Sequence, residues 1–297
     1  MKNTYIALAI AAAMAPAAAM AASNVEMYGR ADAYVGFADD DRAGGDGGLV
    51  VGSGGQSSSR WGVQGNEDLG GGLSAVFQFE AQLAVDEGTP GGLSFGRRSY
   101  VGLKGGFGSV LLGRTYTPLF WLFLGNDVSG MGGDVNDASL TQANRASNGI
   151  HYRGSFGAIK VDAMYAASES AADDAMGIAA TYDSGAFRVG LGYHDLGGEQ
   201  EMGFGGQVRF GGFRVGLNYL DTSLDNAADP DAVYGVSAGM KVGAAGDLIL
   251  NMHDIGADTR FGIQYRHTMT KRTNWYAMYG DQDSGGTQFN VGILHKF

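Results

Sequence analysis

The sequence predicts an all-β chain whose strands close into a sixteen-stranded antiparallel barrel that crosses a membrane. Three observations favour this fold class. Apolar and polar residues alternate along segment after segment, one face of these segments is polar throughout, and the connections are short at one side and long at the other. Alternation with a period of two is typical of β-strands, because successive side chains point to opposite faces.

The composition excludes several other classes of protein. Gly fills 52 of 297 positions, and because Gly inside a helix costs about 1 kcal/mol relative to Ala, a helical protein is not expected. The absence of Cys excludes disulfide scaffolds and zinc–thiolate sites. A formal net charge of −11 disfavours nucleic acid as a partner, and an apolar content of 44% disfavours bulk disorder.

The first residues have the pattern of a secretory signal peptide. Met1–Asn3 is short and basic, residues 5–21 are almost all apolar, and Ala19–Ala21 fits a cleavage site. We therefore expect residues 1–21 to be removed and residues 22–297 to form one barrel domain, with an N-terminal membrane anchor as the alternative. Beyond residue 22 no apolar run approaches the roughly 20 residues that a membrane helix needs.

Sixteen segments carry the alternation. In the first, Met27 and Val35 share one phase while Glu26 and Arg30 share the other. Strands are predicted near 24–37, 56–67, 72–84, 93–104, 107–116, 144–154, 157–168, 175–184, 186–196, 200–211, 212–223, 231–242, 246–254, 258–269, 271–281 and 286–297.

The later strands repeat the pattern with a basic residue on the polar phase. Phe187 and Leu191 alternate with Arg188, and Phe261 alternates with Arg260. A soluble sandwich or propeller needs a packed core on both sides of its strands, whereas one face here is polar and carries several Arg. A wet lumen therefore fits better than a dry core.

The connections separate into two sets. Tight Gly-rich turns such as 70–72, 104–106 and 211–212 alternate with longer acidic loops such as 38–55 and 222–230. This asymmetry is typical of outer-membrane barrels. In a bilayer the sheet must close, because an open edge would leave unpaired backbone groups in hydrocarbon.

Several motifs, in order, resemble the general trimeric porins of Gram-negative bacteria, especially the proteobacterial type. The resemblance covers nearly the whole mature chain. It is carried by Met27–Arg30, Ser59–Gly62, Gly65–Leu73, Phe95–Arg97, Ser99–Leu103, Leu112–Arg114, Tyr116–Leu119, Arg145 and Ser147–Asn148. The terminal Phe297 resembles the C-terminal aromatic residue recognised during outer-membrane assembly.

The resemblance implies a homotrimeric barrel in the outer membrane, whose third extracellular loop folds inward and narrows the pore. Region 117–143 lacks clear alternation and follows the fifth predicted strand, so it corresponds to that loop. The partners implied are outer-membrane lipid, the assembly machinery acting through the C-terminal strand, and small solutes and ions.

In this family a ladder of basic residues on the barrel wall faces carboxylates on the inward loop. By motif the basic residues are Arg30, Arg60, Arg97 and Arg145, and alternation independently supports all except Arg97. The pattern alone does not separate Arg97 from Arg98. Weaker pore candidates are Arg114, Tyr116, His151 and Arg153. The alternative for each residue is an ordinary ion pair at the rim.

The inward loop departs from the enterobacterial pattern, since Gly130 stands where a pore Glu is usual. Asp127, Asp134 and Asp137 remain as acidic candidates. With four Arg and fewer facing carboxylates, we expect a weak anion preference. The apolar run Leu119–Leu124 either packs against the wall or a trimer contact, or forms an apolar strip that favours hydrophobic or aromatic solutes.

The function expected is passive diffusion of ions and small hydrophilic solutes. The alternatives are a substrate-specific channel, a barrel enzyme, or a plugged adhesive barrel. Two Gly-x-Ser-x-Gly matches, 92–96 and 235–239, lack the strand–turn–helix context of a hydrolase, so no enzyme is expected. No cofactor is expected, and the five His lack paired metal-ligand spacing. The acidic loops 39–46 and 281–285 are either solvated or weak sites for divalent cations.

Overall fold

The computed structural model describes residues 23–39, 47–89, 92–129, 143–168, 173–222, 232–256, 258–283 and 285–297. The expected signal peptide lies outside the described residues. No helix among these ranges is long and apolar enough to cross a membrane.

The described residues form one antiparallel sheet in which each strand follows its neighbour in chain order. The strands are β1 (Ser23–Ala38), β2 (Gly48–Ser53), β3 (Arg60–Gly70), β4 (Leu73–Gln82), β5 (Arg98–Gly105), β6 (Gly108–Tyr116), β7 (Arg145–Phe156), β8 (Ile159–Ala166), β9 (Ala175–Asp183), β10 (Phe187–Leu196), β11 (Gln200–Phe210), β12 (Phe213–Asp221), β13 (Val233–Val242), β14 (Gly246–Asp254), β15 (Thr259–Thr268), β16 (Thr273–Gln282) and β17 (Gly286–Lys296). One helix, α1 (Pro118–Asn126), follows β6.

The first and last strands close the barrel. β1 pairs with β17, where Phe37 lies opposite Phe289. On its other side, β1 pairs with β3 near its beginning and with β2 near its end. β2 and β3 therefore share one position around the barrel, and the predicted sixteen-stranded closure is confirmed.

The short strand β2 differs from the sequence-based expectation, which assigned residues 38–55 to a loop. Residues 54–59 leave the sheet between β2 and β3. Gly54 allows this departure because its φ of 87° lies in the left-handed region that favours Gly. Its N–H still donates to the carbonyl of Asp32 over 2.9 Å, which keeps the segment next to β1.

The alternation places apolar side chains outside and polar ones inside. On β1, Val35 and Phe37 are exposed on the outer face, while Asp32 and Tyr34 are buried on the inner face. On β14, Leu250 and Met252 are exposed, whereas Asn251 and His253 are buried. An apolar outer band suits contact with lipid, and the polar inner face surrounds a lumen.

The helix α1 lies inside the barrel against the inner faces of β8 to β12. Thr117 caps it by accepting a hydrogen bond from the Phe120 N–H over 3.4 Å, and Pro118 occupies its first turn. Leu119 and Phe123 are fully buried against the wall. The described part of the predicted inward loop therefore does fold into the lumen.

Candidate pore constriction

Arg30 and Arg60 lie side by side on the inner wall. They are direct cross-strand partners between β1 and β3. Both guanidinium groups donate to the hydroxyl of Ser57, over 2.7 Å from Arg30 and 3.4 Å from Arg60. Within the described part of the chain neither forms a direct ion pair.

A buried carboxylate holds Ser57 in this position. Asp32, which is fully buried, accepts hydrogen bonds from the N–H of Gln56 over 3.0 Å and of Ser57 over 2.7 Å. The Tyr276 hydroxyl donates to the other oxygen of Asp32 over 2.7 Å. The segment that leaves the sheet is therefore fixed against β1, and its Ser57 faces both arginines.

Three further arginines lie nearby on the strands and loops that follow. Arg97 forms an ion pair with Glu80 over 2.8 Å and donates to the Tyr116 hydroxyl over 2.9 Å. Arg145 donates to the same hydroxyl over 3.1 Å, and Arg98 donates to the Gln78 side chain over 3.0 Å. Tyr116 thus joins two of the arginines at the end of β6.

These groups line one cavity of about 700 Å³ in the lumen. Its described lining contains six cationic side chains: Arg30, Arg60, Arg97, Arg98, Arg145 and Lys296. Glu80 carries the single side-chain carboxylate among the same lining residues, and it is already bound by Arg97 and by the Tyr28 hydroxyl over 3.0 Å. The backbone end of the chain at Phe297 also borders the cavity. The cavity surface is therefore strongly positive.

Arg98 is a lining residue that was not among the predicted ones, which included Arg97. Both Arg97 and Arg98 line the cavity, so there was no need to choose between them from the motif. Arg98 is the first residue of β5 and shares the inward phase of Tyr100 and Lys104. Extending the alternation of β5 back by two residues would have identified it.

The inner side of α1 completes the cavity with apolar groups. Phe120 and Leu124 line it directly, and Phe120 stacks on Tyr116 with 4.5 Å between the ring centroids. Trp121 lines a neighbouring cavity of about 390 Å³, where the Arg153 guanidinium carbon lies 3.8 Å from the indole centroid. The run Leu119–Leu124 thus has one side against the wall and one side toward the lumen.

The weaker pore candidates lie in different places. Tyr116 lines the main cavity, and Arg153 lines the neighbouring one, where it forms an ion pair with Asp162. His151 is buried on the inner face of β7, opposite Leu111, and does not belong to the lining of either cavity.

Arg114 lies on the outward phase, which corrects its assignment to the pore. It is the cross-strand partner of Ser99 and donates to the Gly96 carbonyl over 2.7 Å and to the Ser147 hydroxyl over 2.8 Å. The pairing of β6 with β7 shifts register between Gly113 and Thr115. At this point three steps along β7 correspond to two along β6, and Tyr116, the last residue of β6, lies opposite Arg145 and lines the cavity.

Of the acidic candidates, Asp127 lies among the described residues. Asp127 ends α1 and is buried, accepting hydrogen bonds from the Ser129 N–H over 2.9 Å and hydroxyl over 2.6 Å. It is not part of the cavity lining. Asp134 and Asp137 lie outside the described residues.

Phe297, the predicted assembly signal, takes part in closing the barrel. Its backbone N–H donates to the Gly29 carbonyl over 3.2 Å, and its carbonyl accepts from the Gly29 N–H over 3.0 Å. The C-terminus is therefore fixed directly beside Arg30.

Comparison with known proteins agrees with this architecture. A sequence model of the family described as Gram-negative porin matches residues 7–287. Outer membrane porin protein 32 of Delftia acidovorans is 47% identical over 118 residues, which cover 40% of this chain and 33% of the relative. An outer membrane porin protein of Bordetella pertussis is 32% identical over 169 residues, covering 51% of this chain and 43% of the relative. The alignments thus span less than half the length of these curated relatives.

Solved structures extend the similarity to nearly the whole barrel. An anion-selective porin from Comamonas acidovorans superposes with a TM-score of 0.77 at 28% identity, covering 93% of this chain and all of that one. A loop-deletion variant of OmpT from Vibrio cholerae gives 0.74 at 19% identity, which shows the fold alone. The protein is an outer-membrane barrel and belongs to the Gram-negative porin family.

Proposed function

We propose that the barrel is a water-filled pore for passive diffusion of ions and small hydrophilic solutes, with a weak preference for anions. The observation that carries this proposal is the cavity beside α1, where six cationic side chains meet one side-chain carboxylate that is already paired. A pore selects by its width and by the charge at its narrowest part, so a positive constriction favours anions.

The net charge of the chain does not oppose this preference. Of its formal net charge of −11, much lies in acidic clusters such as 39–46 and 281–285, in the long connections of the sequence. At physiological salt, exposed charges act over about 8 Å. Ions inside the lumen therefore respond mainly to the side chains that line it, among which Arg30 and Arg60 form no ion pair in the described residues.

Similarity to a solved porin structure also supports the anion preference. The Comamonas acidovorans porin, which aligns with nearly the whole barrel, is described as anion-selective. We propose the same preference here, together with a passive rather than an enzymatic role. We further propose assembly as a homotrimer and recognition of Phe297 by the outer-membrane assembly machinery. Asp134 and Asp137 stay predicted members of the constriction.

The role of the arginine pair is tested by Arg60→Ala in planar bilayers. Removing one charge a few ångströms from the ion path removes up to about 1 kcal/mol of attraction, so the chloride-to-potassium permeability ratio should fall about two- to fivefold. Arg114→Ala is the matched control, because it deletes the same charge from the outward face.

Two results would contradict the proposal. One is an unchanged ratio in Arg60→Ala, and the other is an equal fall in Arg114→Ala. The first would place selectivity away from the Arg30–Arg60 pair, and the second would show a nonspecific effect of lost charge.

The same recordings test the proposed trimer. Conductance steps in groups of three would support the trimer, and single independent steps would oppose it.

A further inference from the structure

The main cavity of the lumen combines two chemically different sides. On the barrel wall, Arg30 and Arg60 present guanidinium groups. Their described side-chain hydrogen bonds go to the Ser57 hydroxyl. On the opposite side, α1 presents Phe120 and Leu124 to the same cavity. A general diffusion pore needs only the first side, so the second requires its own explanation.

The arginine pair has the chemistry of a carboxylate site. A guanidinium group offers several N–H donors in a planar fork that matches the two oxygens of a carboxylate. Glu80, the carboxylate in this lining, is already held by Arg97, and Arg97 is buried. Arg30 and Arg60 therefore keep donors that no described carboxylate uses.

The side of the cavity near α1 is built from flat groups. Tyr116 and Phe120 stack with an interplanar angle of 17°. The guanidinium carbons of Arg145 and Arg98 lie 4.5 Å and 4.6 Å from the Tyr116 centroid. Such layers of rings and guanidinium planes offer favourable contacts to a further ring, since both surfaces attract aromatic faces.

Leu124 supplies the adjoining apolar surface. It is half-buried on α1, whereas Leu119 and Leu122 on the other side of the helix are buried against the wall. Phe120 and Leu124 thus pack against the hydrophobic cluster around α1 and also present part of their surface to the cavity. At about 700 Å³ the space lies within the range of about 300–1,000 Å³ typical of small-molecule sites.

We propose that this constriction is a binding subsite for small aromatic carboxylates, of which benzoate is the simplest. The carboxylate binds the Arg30–Arg60 pair, and the ring lies against Phe120 and Leu124. This inference rests on the proposed pore function, because it names the solute class for which that pore has extra affinity. Binding is weak and reversible, since a solute that stays bound is not conducted.

The wild-type protein tests this with three probes of the chloride current in planar bilayers. Benzoate carries ring and charge, acetate carries the charge alone, and benzyl alcohol carries the ring alone. Contact of one ring face with apolar side chains corresponds to about a tenfold gain in affinity. Benzoate should therefore reduce the current at about one tenth of the acetate concentration, and benzyl alcohol should have little effect.

A variant localises the effect to α1. In Leu124→Asn the concentration of benzoate needed should rise toward that of acetate, each variant being measured against its own chloride current. Val76→Asn is the matched control, because Val76 lines the neighbouring cavity and not this one, and it should keep the tenfold difference. If Leu124→Asn does not refold, Leu124→Ala provides the same comparison.

The outcomes separate the two proposals. A folded barrel without chloride current would overturn the pore itself. A chloride current that benzoate and acetate reduce equally would overturn the aromatic subsite and leave the pore intact. Equal reduction by benzoate and benzyl alcohol would remove the role of the arginine pair. An equal loss of benzoate sensitivity in Leu124→Asn and Val76→Asn would remove the role of α1.

Discussion

Asp32 is the residue on which the geometry of the arginine pair depends. Its buried carboxylate accepts two backbone N–H groups and one hydroxyl, which orders the segment between β2 and β3. Ser57 in that segment then contacts both Arg30 and Arg60. Asp32 thus positions the arginine pair through Ser57, and its negative charge also attracts Arg30.

Asp32→Ala tests this positional part. Leaving the N–H groups of Gln56 and Ser57 without their acceptor costs about 1–3 kcal/mol for each buried group, so we expect a lower free energy of unfolding in detergent. If the position of the arginine pair decides selectivity, the chloride preference should also weaken, although the loss of a negative charge near Arg30 would by itself strengthen it. Asp68→Ala is the control, because Asp68 is exposed and accepts one bond from Gly70 at a turn. A change in stability with unaltered ion preference would contradict the link through Ser57.

Single residues show where sequence periodicity succeeds and fails. Alternation alone indicated Arg30, Arg60 and Arg145, and all three line the cavity. It could not position Arg114, because Arg114 and Tyr116 are two residues apart and yet only Tyr116 lines the cavity. Asp32 was not identified either, since nothing local reveals that residues 54–59 return to contact it.

At the scale of elements, the helix α1 is fitted to a row of glycines on the barrel wall. A Cβ at Gly192 would lie 2.8 Å from the Leu119 side chain, and a Cβ at Gly203 would lie 2.6 Å from Phe123. Polar contacts fix the helix at both ends. The Leu119 N–H donates to His194 over 3.0 Å, and Gln207 donates to the Asn126 carbonyl over 3.0 Å.

Gly203→Val should therefore displace α1 and change the pore. Phe123 is fully buried and cannot yield, so we expect overpacking that costs about 1–3 kcal/mol in stability, together with an altered single-channel conductance. Gly206→Val on the same strand is the control, because a Cβ there meets its nearest atom at 3.7 Å. The outcome that would count against the docking of α1 is a normal conductance in Gly203→Val.

The two elements absent from the sequence-based prediction have different causes. α1 is apolar on all sides, so it has no amphipathic period, although Thr117 and Pro118 are suitable first residues of a helix. β2 has only six residues, and it shares one barrel position with β3. For Leu119–Leu124 the alternatives were packing against the wall and an apolar strip in the pore. One side of the helix packs against the wall, and the other side lies toward the lumen.

At the scale of the whole molecule, the charge of the main lumen cavity differs in sign from that of the chain. The chain is acidic overall, yet six of the charged side chains that line this cavity are cationic and one is anionic. Barrel closure makes this possible, because every strand presents one phase to lipid and the other to the lumen. The strand pattern predicted the closure well, because it repeats in every strand. The inner lining also depends on loop segments such as 54–59, which do not repeat.

If the local charge of the lumen sets the ion preference, the zero-current potential of the wild-type protein reports that preference. The potential is measured in planar bilayers under KCl gradients centred near 0.1 M and near 1 M, where the Debye length is about 10 Å and 3 Å. We expect chloride to be the more permeant ion at both concentrations, with the larger permeability ratio near 0.1 M. A potential showing preference for potassium from a folded, conducting barrel would contradict it.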